Sequence, residues 1–151
     1  MRALFLSLPL VLGLAISVVG CGHAQSAWTA QPVTTSELRI MPAGISSRGD
    51  RLYVQTTFTN TGTETVTVDR DAVTLRLPDG HVVPRSIGTF TQHKPYVIGA
   101  GGSHAVYVDF KIDGQDWNQI PSAEVDWSKA VFIGARPVAV PPTPLSSTPP
   151  Q

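Results

Sequence analysis

A two-residue periodicity of apolar side chains dominates the middle of the chain and restricts this region to β structure. Leu52, Val54 and Phe58 fall on one side of an extended segment, whereas Tyr53 and Gln55 fall on the other. Successive side chains of a β-strand point to opposite faces, so this pattern predicts a strand with one buried face. No stretch of useful length has the 3.6-residue period of a helix.

Similar runs recur through the middle of the chain and are separated by turn residues. The predicted strands lie at residues 37–40, 52–59, 65–68, 73–77, 81–83, 106–112 and 130–135. The sequences Asn-Thr-Gly at 60–62 and Pro-Asp-Gly at 78–80 predict turns, because proline fixes φ and glycine accepts positive φ. About seven short strands with frequent turns predict an all-β fold, an antiparallel β-sandwich.

Two segments of different composition flank the predicted sandwich, which we place at residues 36–136. Residues 22–35 are small and polar without an apolar period, so residues 21–35 are predicted to form a flexible tether. Residues 137–151 contain six prolines. Proline lacks an N–H and fixes φ, which predicts an extended, disordered tail. Four interpretations of this tail stay open: a disordered terminus without a role, a spacer, an arm that reaches into peptidoglycan, and a segment that binds a groove on another protein.

Trp28 is the exception within the predicted tether. Its large amphipathic ring either folds back onto the domain or contacts the membrane interface or a partner.

The amino-terminal residues have the pattern of an export signal. Arg2 supplies a positive charge, and residues 3–19 form an apolar run. This run is marginal in length for a membrane-spanning helix, and Pro9 and Gly13 interrupt it. We therefore predict a signal peptide at residues 1–20. The alternatives are an ordinary cleaved signal and an uncleaved membrane helix.

The apolar run ends at Val18-Val19-Gly20-Cys21, which resembles the lipobox of bacterial lipoproteins. The resemblance implies cleavage between Gly20 and Cys21 and transfer of a diacylglyceryl group to the Cys21 thiol, which acts as the nucleophile. The small Gly20 gives the peptidase access to the bond, and the new amino terminus is usually acylated as well. Each buried methylene contributes about 0.8 kcal/mol, so the lipid bilayer is a predicted partner through acylated Cys21.

The residue after Cys21 bears on the membrane that holds the protein. Bacterial lipoproteins that stay at the inner membrane commonly carry Asp at this position, and here it is Gly22. The resemblance therefore implies an outer-membrane lipoprotein that faces the periplasm.

Residues 52–112 also resemble a known family. They contain LYVQTTFTNTGTETVTVDRDAVTLRLPDG and, after a Gly-rich turn, AVYVDFKI. These segments are similar to the immunoglobulin-like domains common in bacterial lipoproteins. The resemblance implies an immunoglobulin-like sandwich and supplies no catalytic residues.

The charge of the chain nominates no charged partner. Its 151 residues include 11 basic and 11 acidic side chains. A nucleic-acid-binding protein usually has a basic stripe, and a polybasic membrane patch needs clustered Lys and Arg. Neither pattern occurs, so we predict no nucleic-acid binding.

The residue types that can bind metal ions are scattered along the sequence. The histidines His23, His81, His93 and His104 have no ligand spacing, and Cys21 is the single cysteine. Asp69 with Asp71 and Asp113 with Asp116 lie in loops, but the spacing of a calcium loop is missing. Such aspartates commonly cap their own backbone. The sequence therefore predicts no metal site and no cofactor.

Catalytic motifs are equally weak. Ser103 and His104 follow a glycine-rich segment, but a nucleophile elbow needs a second glycine and a following helix. The glycines at 99–102 lack the lysine and helix of a phosphate-binding loop. We therefore expect no enzymatic activity.

Aromatic residues in the less regular stretches are the remaining candidates for function. These residues are Phe90, His93, Tyr96, Trp117 and Trp127. They either plug the ends of the core or contact a partner, and Phe90, Tyr96 and Trp117 are our candidate partner contacts. The sequence thus favours a non-enzymatic interaction module that binds another envelope protein through loops or an edge strand. The alternative is a carrier of a small ligand or metal ion.

Overall fold

A computed structural model describes residues 27–86 and 94–148. Across these residues the chain forms short strands and two 3₁₀ helices, Arg70–Ala72 and Trp117–Gln119. The strands are β1 (Ala27–Ala30), β2 (Val33–Thr34), β3 (Leu38–Arg48), β4 (Arg51–Asn60), β5 (Val66–Val68), β6 (Thr74–Arg76), β7 (Val82–Pro84), β8 (Tyr96–Ile98), β9 (Ser103–Lys111), β10 (Ser122–Asp126), β11 (Val131–Ile133), β12 (Arg136–Pro137) and β13 (Thr143–Thr148). No helix in the two described ranges has the length and apolar character needed to cross a membrane.

The strands pair into three antiparallel sheets around one apolar core. The first has the order β1-β13-β10-β6-β7, the second β12-β11-β5-β8 and the third β2-β3-β4-β9. Buried side chains from all three sheets form a single cluster. The predicted all-β, antiparallel immunoglobulin-like sandwich is confirmed. The described residues contain more strands than the seven expected, and β3, β4 and β9 are longer than predicted.

The long strands β3, β4 and β9 follow the predicted alternation. Leu52, Val54 and Phe58 are buried, whereas Tyr53 is exposed. Strand β4 pairs along its length with β3 on one side and with β9 on the other. The register shifts at Pro42, where β3 contains a bulge, and the strand continues well beyond the predicted residues 37–40. A bulge leaves one residue unpaired and bends its strand.

Both predicted turns are confirmed. The buried Asn60 side chain donates to the carbonyl oxygens of Glu64 (2.7 Å) and Ile98 (3.0 Å) and accepts from the Gly62 N–H. Gly80 has a φ of 87°, which favours glycine, and its N–H donates to the Leu77 carbonyl. These turns fix where β4 ends and where β6 reverses into β7.

The predicted disordered tail at residues 137–151 is wrong for most of its length. Strand β13 lies inside the five-stranded sheet, where it pairs with β1 on one side and β10 on the other. Its side chains Thr143 and Leu145 are buried, as are Val138 and Val140 before it. The final residues, 149–151, lie outside the described ranges.

The positions of the prolines explain why a proline-rich segment forms an interior strand. Pro137 lies in the edge strand β12, and Pro141 and Pro142 precede β13. Pro144 pairs with Glu124 of β10, while the last β1 partner in β13 is Leu145. Proline is tolerated where no strand needs its N–H. The prolines thus leave the ladder from Leu145 to Thr148 intact.

The predicted tether at residues 21–35 is also wrong in its second half. Residues 27–30 form β1, residues 33–34 form β2, and Trp28 is only 7% exposed. The Trp28 ring meets Trp117 edge to face, with ring centroids 6.1 Å apart. The interpretation that Trp28 folds back onto the domain is therefore confirmed. Residues 21–26 lie outside the described ranges.

Trp117 belongs to the core, so its prediction as a partner contact is wrong. Its side chain is fully buried, and its indole N–H donates to the carbonyl oxygen of Asp50 at 2.9 Å. Trp127 is buried as well, where it packs edge to face on Phe58 and donates to the Thr143 hydroxyl at 3.1 Å. Large aromatic rings in irregular segments thus close the ends of this small core.

Removal of β13 is expected to prevent stable folding. A chain that ends at Pro142 loses the strand that joins β1 to β10 and two buried side chains, so circular dichroism should show no cooperative thermal transition. A chain that ends at Thr148 keeps β13 and is the matched control. Equal melting of both chains would show that the domain does not need this strand.

Trp117→Ala is expected to lower the free energy of unfolding by about 3–5 kcal/mol, because it leaves a cavity beside Trp28. Urea denaturation measures this loss. Tyr107→Ala removes an exposed aromatic ring and should change the same quantity by only about 0.5 kcal/mol. Similar small losses for both variants would contradict the core position of Trp117.

Candidate binding surface

The outer face of the sheet formed by β3, β4 and β9 carries two exposed aromatic residues. The inward positions of these strands fill the core, so the alternate positions face solvent. Tyr53 of β4 is 42% exposed and Tyr107 of β9 is 57% exposed. In the register, Tyr53 pairs with Asp109 and Gln55 pairs with Tyr107, so the two tyrosines are diagonal neighbours.

A groove of about 420 Å³ runs between the two tyrosines, and we call it the tyrosine groove. Its residues are Gly44, Ile45, Ser46, Tyr53, Val54, Gln55, Tyr107, Val108 and Asp109. Gly44 lies immediately after the bulge and pairs with Gln55. Because Gly44 has no side chain, the space above Gln55 stays open. A volume of this size lies within the range of pockets that bind ligands.

The tyrosine groove continues along the bulged edge of β3. A smaller depression of about 220 Å³ shares Gly44 and Ile45 with it and extends to Thr29 in β1. The two depressions adjoin at these shared residues.

The polar groups of the tyrosine groove are available to a ligand. Across the described part of the chain, the side chains of Tyr53, Gln55 and Tyr107 have no hydrogen-bond partner. At one end of the groove, Asp109 accepts a hydrogen bond from Arg51 at 2.8 Å, which neutralises both charges. The groove therefore presents two aromatic rings, two hydroxyl groups and an amide without net charge. Each tyrosine of the groove combines an apolar ring with a polar hydroxyl group.

Tyr53 and Tyr107 were not among the residues that the sequence nominated. The alternation placed both at outward positions, where threonine and charged residues otherwise predominate. The sequence indicated this site only by placing two aromatic residues at outward strand positions. That they are close to each other follows from the strand register, which the sequence does not give.

Tyr96, a predicted partner contact, is half-buried at the start of β8. Its ring lies 4.5 Å from the His104 ring, and its hydroxyl accepts from Arg70 at 3.2 Å. These contacts satisfy Tyr96 within the domain. Phe90, Gly20 and Cys21 lie outside the described residues, so those predictions stay predictions.

The loop aspartates are engaged by their neighbours. Asp69 caps the first 3₁₀ helix by accepting from the Asp71 N–H, and Asp116 caps the second by accepting from the Asn118 N–H. Asp71 pairs with Arg85, whose pKa is lowered by burial, and Asp113 pairs with Lys111. Within residues 27–86 and 94–148, no three His, Cys, Asp or Glu side chains converge as a metal site.

Ser103 and His104 do not form a catalytic pair. They are consecutive residues of β9, so their side chains point to opposite faces of the strand. The Ser103 hydroxyl is 2.8 Å from the Thr59 hydroxyl, while His104 stacks on Tyr96. A base must lie within hydrogen-bond reach of the nucleophile that it activates. This arrangement does not provide that contact.

Comparisons with known proteins identify the fold alone. No family model and no curated protein matches the chain. The solved structure of the yjhA protein from Bacillus subtilis is similar, with 10% sequence identity, a TM-score of 0.53 and coverage of 70% of this chain and 84% of that chain. A secreted protein from Mycobacterium tuberculosis, MPT63, matches at 11% identity with a TM-score of 0.46, over 70% of this chain and 92% of that chain. The likeness to yjhA agrees with the β-sandwich described above.

Proposed function

We propose that this protein is a lipid-anchored, non-enzymatic binding module of the bacterial cell envelope. Its tyrosine groove binds an extended segment of another envelope protein. The observation that carries the proposal is the exposure of Tyr53 and Tyr107 beside the unpartnered amide of Gln55. Tyrosine is enriched at protein interfaces, and residues of this kind often dominate the binding energy.

The shape and charge of the groove favour a polypeptide partner. The tyrosine groove and the depression that adjoins it at Gly44 and Ile45 together give room for several residues of an extended chain. The Arg51–Asp109 pair neutralises the charges at its end, so a strongly charged ligand gains little there. A small-ligand carrier is the alternative function, and the crosslinking experiment below distinguishes it.

The lipobox supports the anchor. Cys21 is the single cysteine of the chain, and it follows an apolar run and a small residue, Gly20. Acylation at this position would hold the protein on a bilayer through two or three chains. Gly22 in place of Asp supports the outer membrane as the site, with the domain in the periplasm.

Cys21→Ser is expected to move the protein from the membrane fraction to the soluble fraction, because serine cannot carry the diacylglyceryl thioether. Cell fractionation with immunoblotting measures this change. Ser26→Ala, a small substitution in the same segment, should leave the protein in the membrane fraction. Continued membrane association of Cys21→Ser would contradict the anchor.

Filling the tyrosine groove is expected to abolish partner binding without unfolding the domain. A Cβ at Gly44 would lie 3.6 Å from Gln55 Oε1, which is an ordinary contact, so Gly44→Leu should fit and occupy the groove. Its free energy of unfolding should change by about 0.5 kcal/mol or less. Gly99→Leu is the matched control, because a Cβ there has open space and lies in a turn after β8.

The readout is photo-crosslinking in cells from a photoreactive residue at Tyr107. We expect a discrete crosslinked protein that persists with Gly99→Leu and disappears with Gly44→Leu. The same species should form from a photoreactive residue at Tyr53. Crosslinks that survive Gly44→Leu would contradict the groove as the site. Absence of any crosslinked protein would contradict a polypeptide partner and leave a small solute as the occupant.

A further inference from the structure

We infer that the short connection to Cys21 holds one end of the sandwich beside the lipid headgroup layer and turns the other end away from it. This inference rests on the proposed lipid anchor. We call the end that contains Ala27 the anchor end, and the opposite end, with the turn at residues 60–62, the distal end.

The connection has a fixed upper length. Six residue steps separate Cys21 from Ala27, the first residue of β1. Each residue of an extended chain spans at most about 3.3–3.6 Å, so the two Cα atoms are at most about 21 Å apart in any conformation. The tether predicted from sequence ran to residue 35 and would have allowed more than twice this reach. The order of β1 therefore shortens the connection.

The pairing of β1 identifies which loops belong to the anchor end. Ala27 pairs with Thr148, and the neighbouring Ser147 donates to the carbonyl oxygens of Ile120 and Pro121. These contacts place the second 3₁₀ helix beside the start of β1.

The same helix joins two further loops to this end. The backbone N–H of Trp117 donates to the carbonyl oxygen of Gly49, which belongs to the turn between β3 and β4. The Ile112 N–H donates to the Asp50 carbonyl in that turn, so the loop at 112–116 lies there as well. The anchor end therefore comprises residues 49–50, residues 112–119 and the two ends of the described chain.

The distal end is far from these loops. Strand β4 starts at Arg51 and ends at Asn60, a span of about 30 Å at the rise of a strand. The Asn60 N–H donates to the Gly102 carbonyl, so the turn before β9 lies at the distal end too. The length of β4 exceeds the reach of the connection. An acylated Cys21 thus keeps the anchor end closer to the bilayer on average.

Charge does not supply an independent orientation. At the anchor end, Lys111 pairs with both Asp50 and Asp113. The hydrogen bond between Lys111 and Asp113 raises the pKa of the lysine and lowers the pKa of the aspartate, so each stays ionised opposite the other. One lysine against two aspartates leaves this group without a net positive charge, so it has little attraction for anionic lipid. The orientation should therefore be similar on neutral and anionic bilayers.

Energy transfer from single labels to acceptor lipids tests this inference on the mature lipoprotein in vesicles. Acylation consumes the single native cysteine, so an introduced cysteine is the single free thiol. Gln115→Cys labels the anchor end and Thr63→Cys the distal end, and both side chains are exposed without hydrogen-bond partners in the described chain. We expect at least about twofold greater transfer from Gln115→Cys, because about 30 Å separates the two ends along β4. The ratio should persist when phosphatidylglycerol replaces part of the phosphatidylcholine.

A longer connection tests whether the orientation of the domain comes from the short connection or from attraction between the domain surface and the bilayer. Ten Gly/Ser residues placed between Ala24 and Gln25 raise the maximum reach to about 55 Å and should remove most of the difference. Equal transfer without the insertion, or a difference that survives it, would overturn the inference. If acylated protein fails to bind vesicles, with no transfer from either label, the proposed anchor fails as well. Unacylated Cys21→Ser protein provides the background signal.

Discussion

The structure depends on the pairing of one strand, β13, with two partners from distant parts of the chain. It joins β1, from the start of the described chain, to β10, and places Leu145 in the core. A strand at the edge of a sheet leaves the backbone groups on one side unpaired, whereas an interior strand forms hydrogen bonds on both sides. Trp28 and Trp117 meet beside this ladder and close the core there. This one strand therefore joins the two ends of the described part of the chain, residues 27–30 and 143–148.

The middle of the fold could be predicted from sequence, because its strands are long and alternate cleanly. Strands β4 and β9 have buried and exposed residues at the positions that the alternation indicated. The chain ends could not be predicted so well, because proline and small polar residues are usually signs of disorder. Val138, Val140 and Leu145 carried an apolar signal, but the prolines between them obscured it. Which prolines a sheet tolerates depends on the side of the strand that needs an N–H, and a sequence does not state that.

The tyrosine groove could be predicted from sequence only in part. Sequence alternation places Tyr53 and Tyr107 at outward positions, yet it does not say that they are diagonal neighbours. That relation depends on the register of β4 and β9, and the open space between them depends on the bulge at Pro42 and on Gly44. Trp117 is the opposite case. It was predicted to contact a partner because it follows an irregular loop, but its side chain lies in the core. In this sandwich the large rings of Trp117 and Trp127 are buried in the core, so their position in irregular segments did not indicate binding.

The pairing of β1 with β13 has a consequence for the order in which the domain folds. More than a hundred residues separate β1 from β13, so β1 has no ladder partner until these distant segments meet. The contact between Thr29 and Ser146 joins residues 117 positions apart, and such long-range contacts form slowly. Until then the edge of β10 and the ring of Trp28 are open to proteases and to association with other chains. The five-stranded sheet is thus completed late in folding, and a chain without β13 keeps unpaired strand edges at β1 and β10.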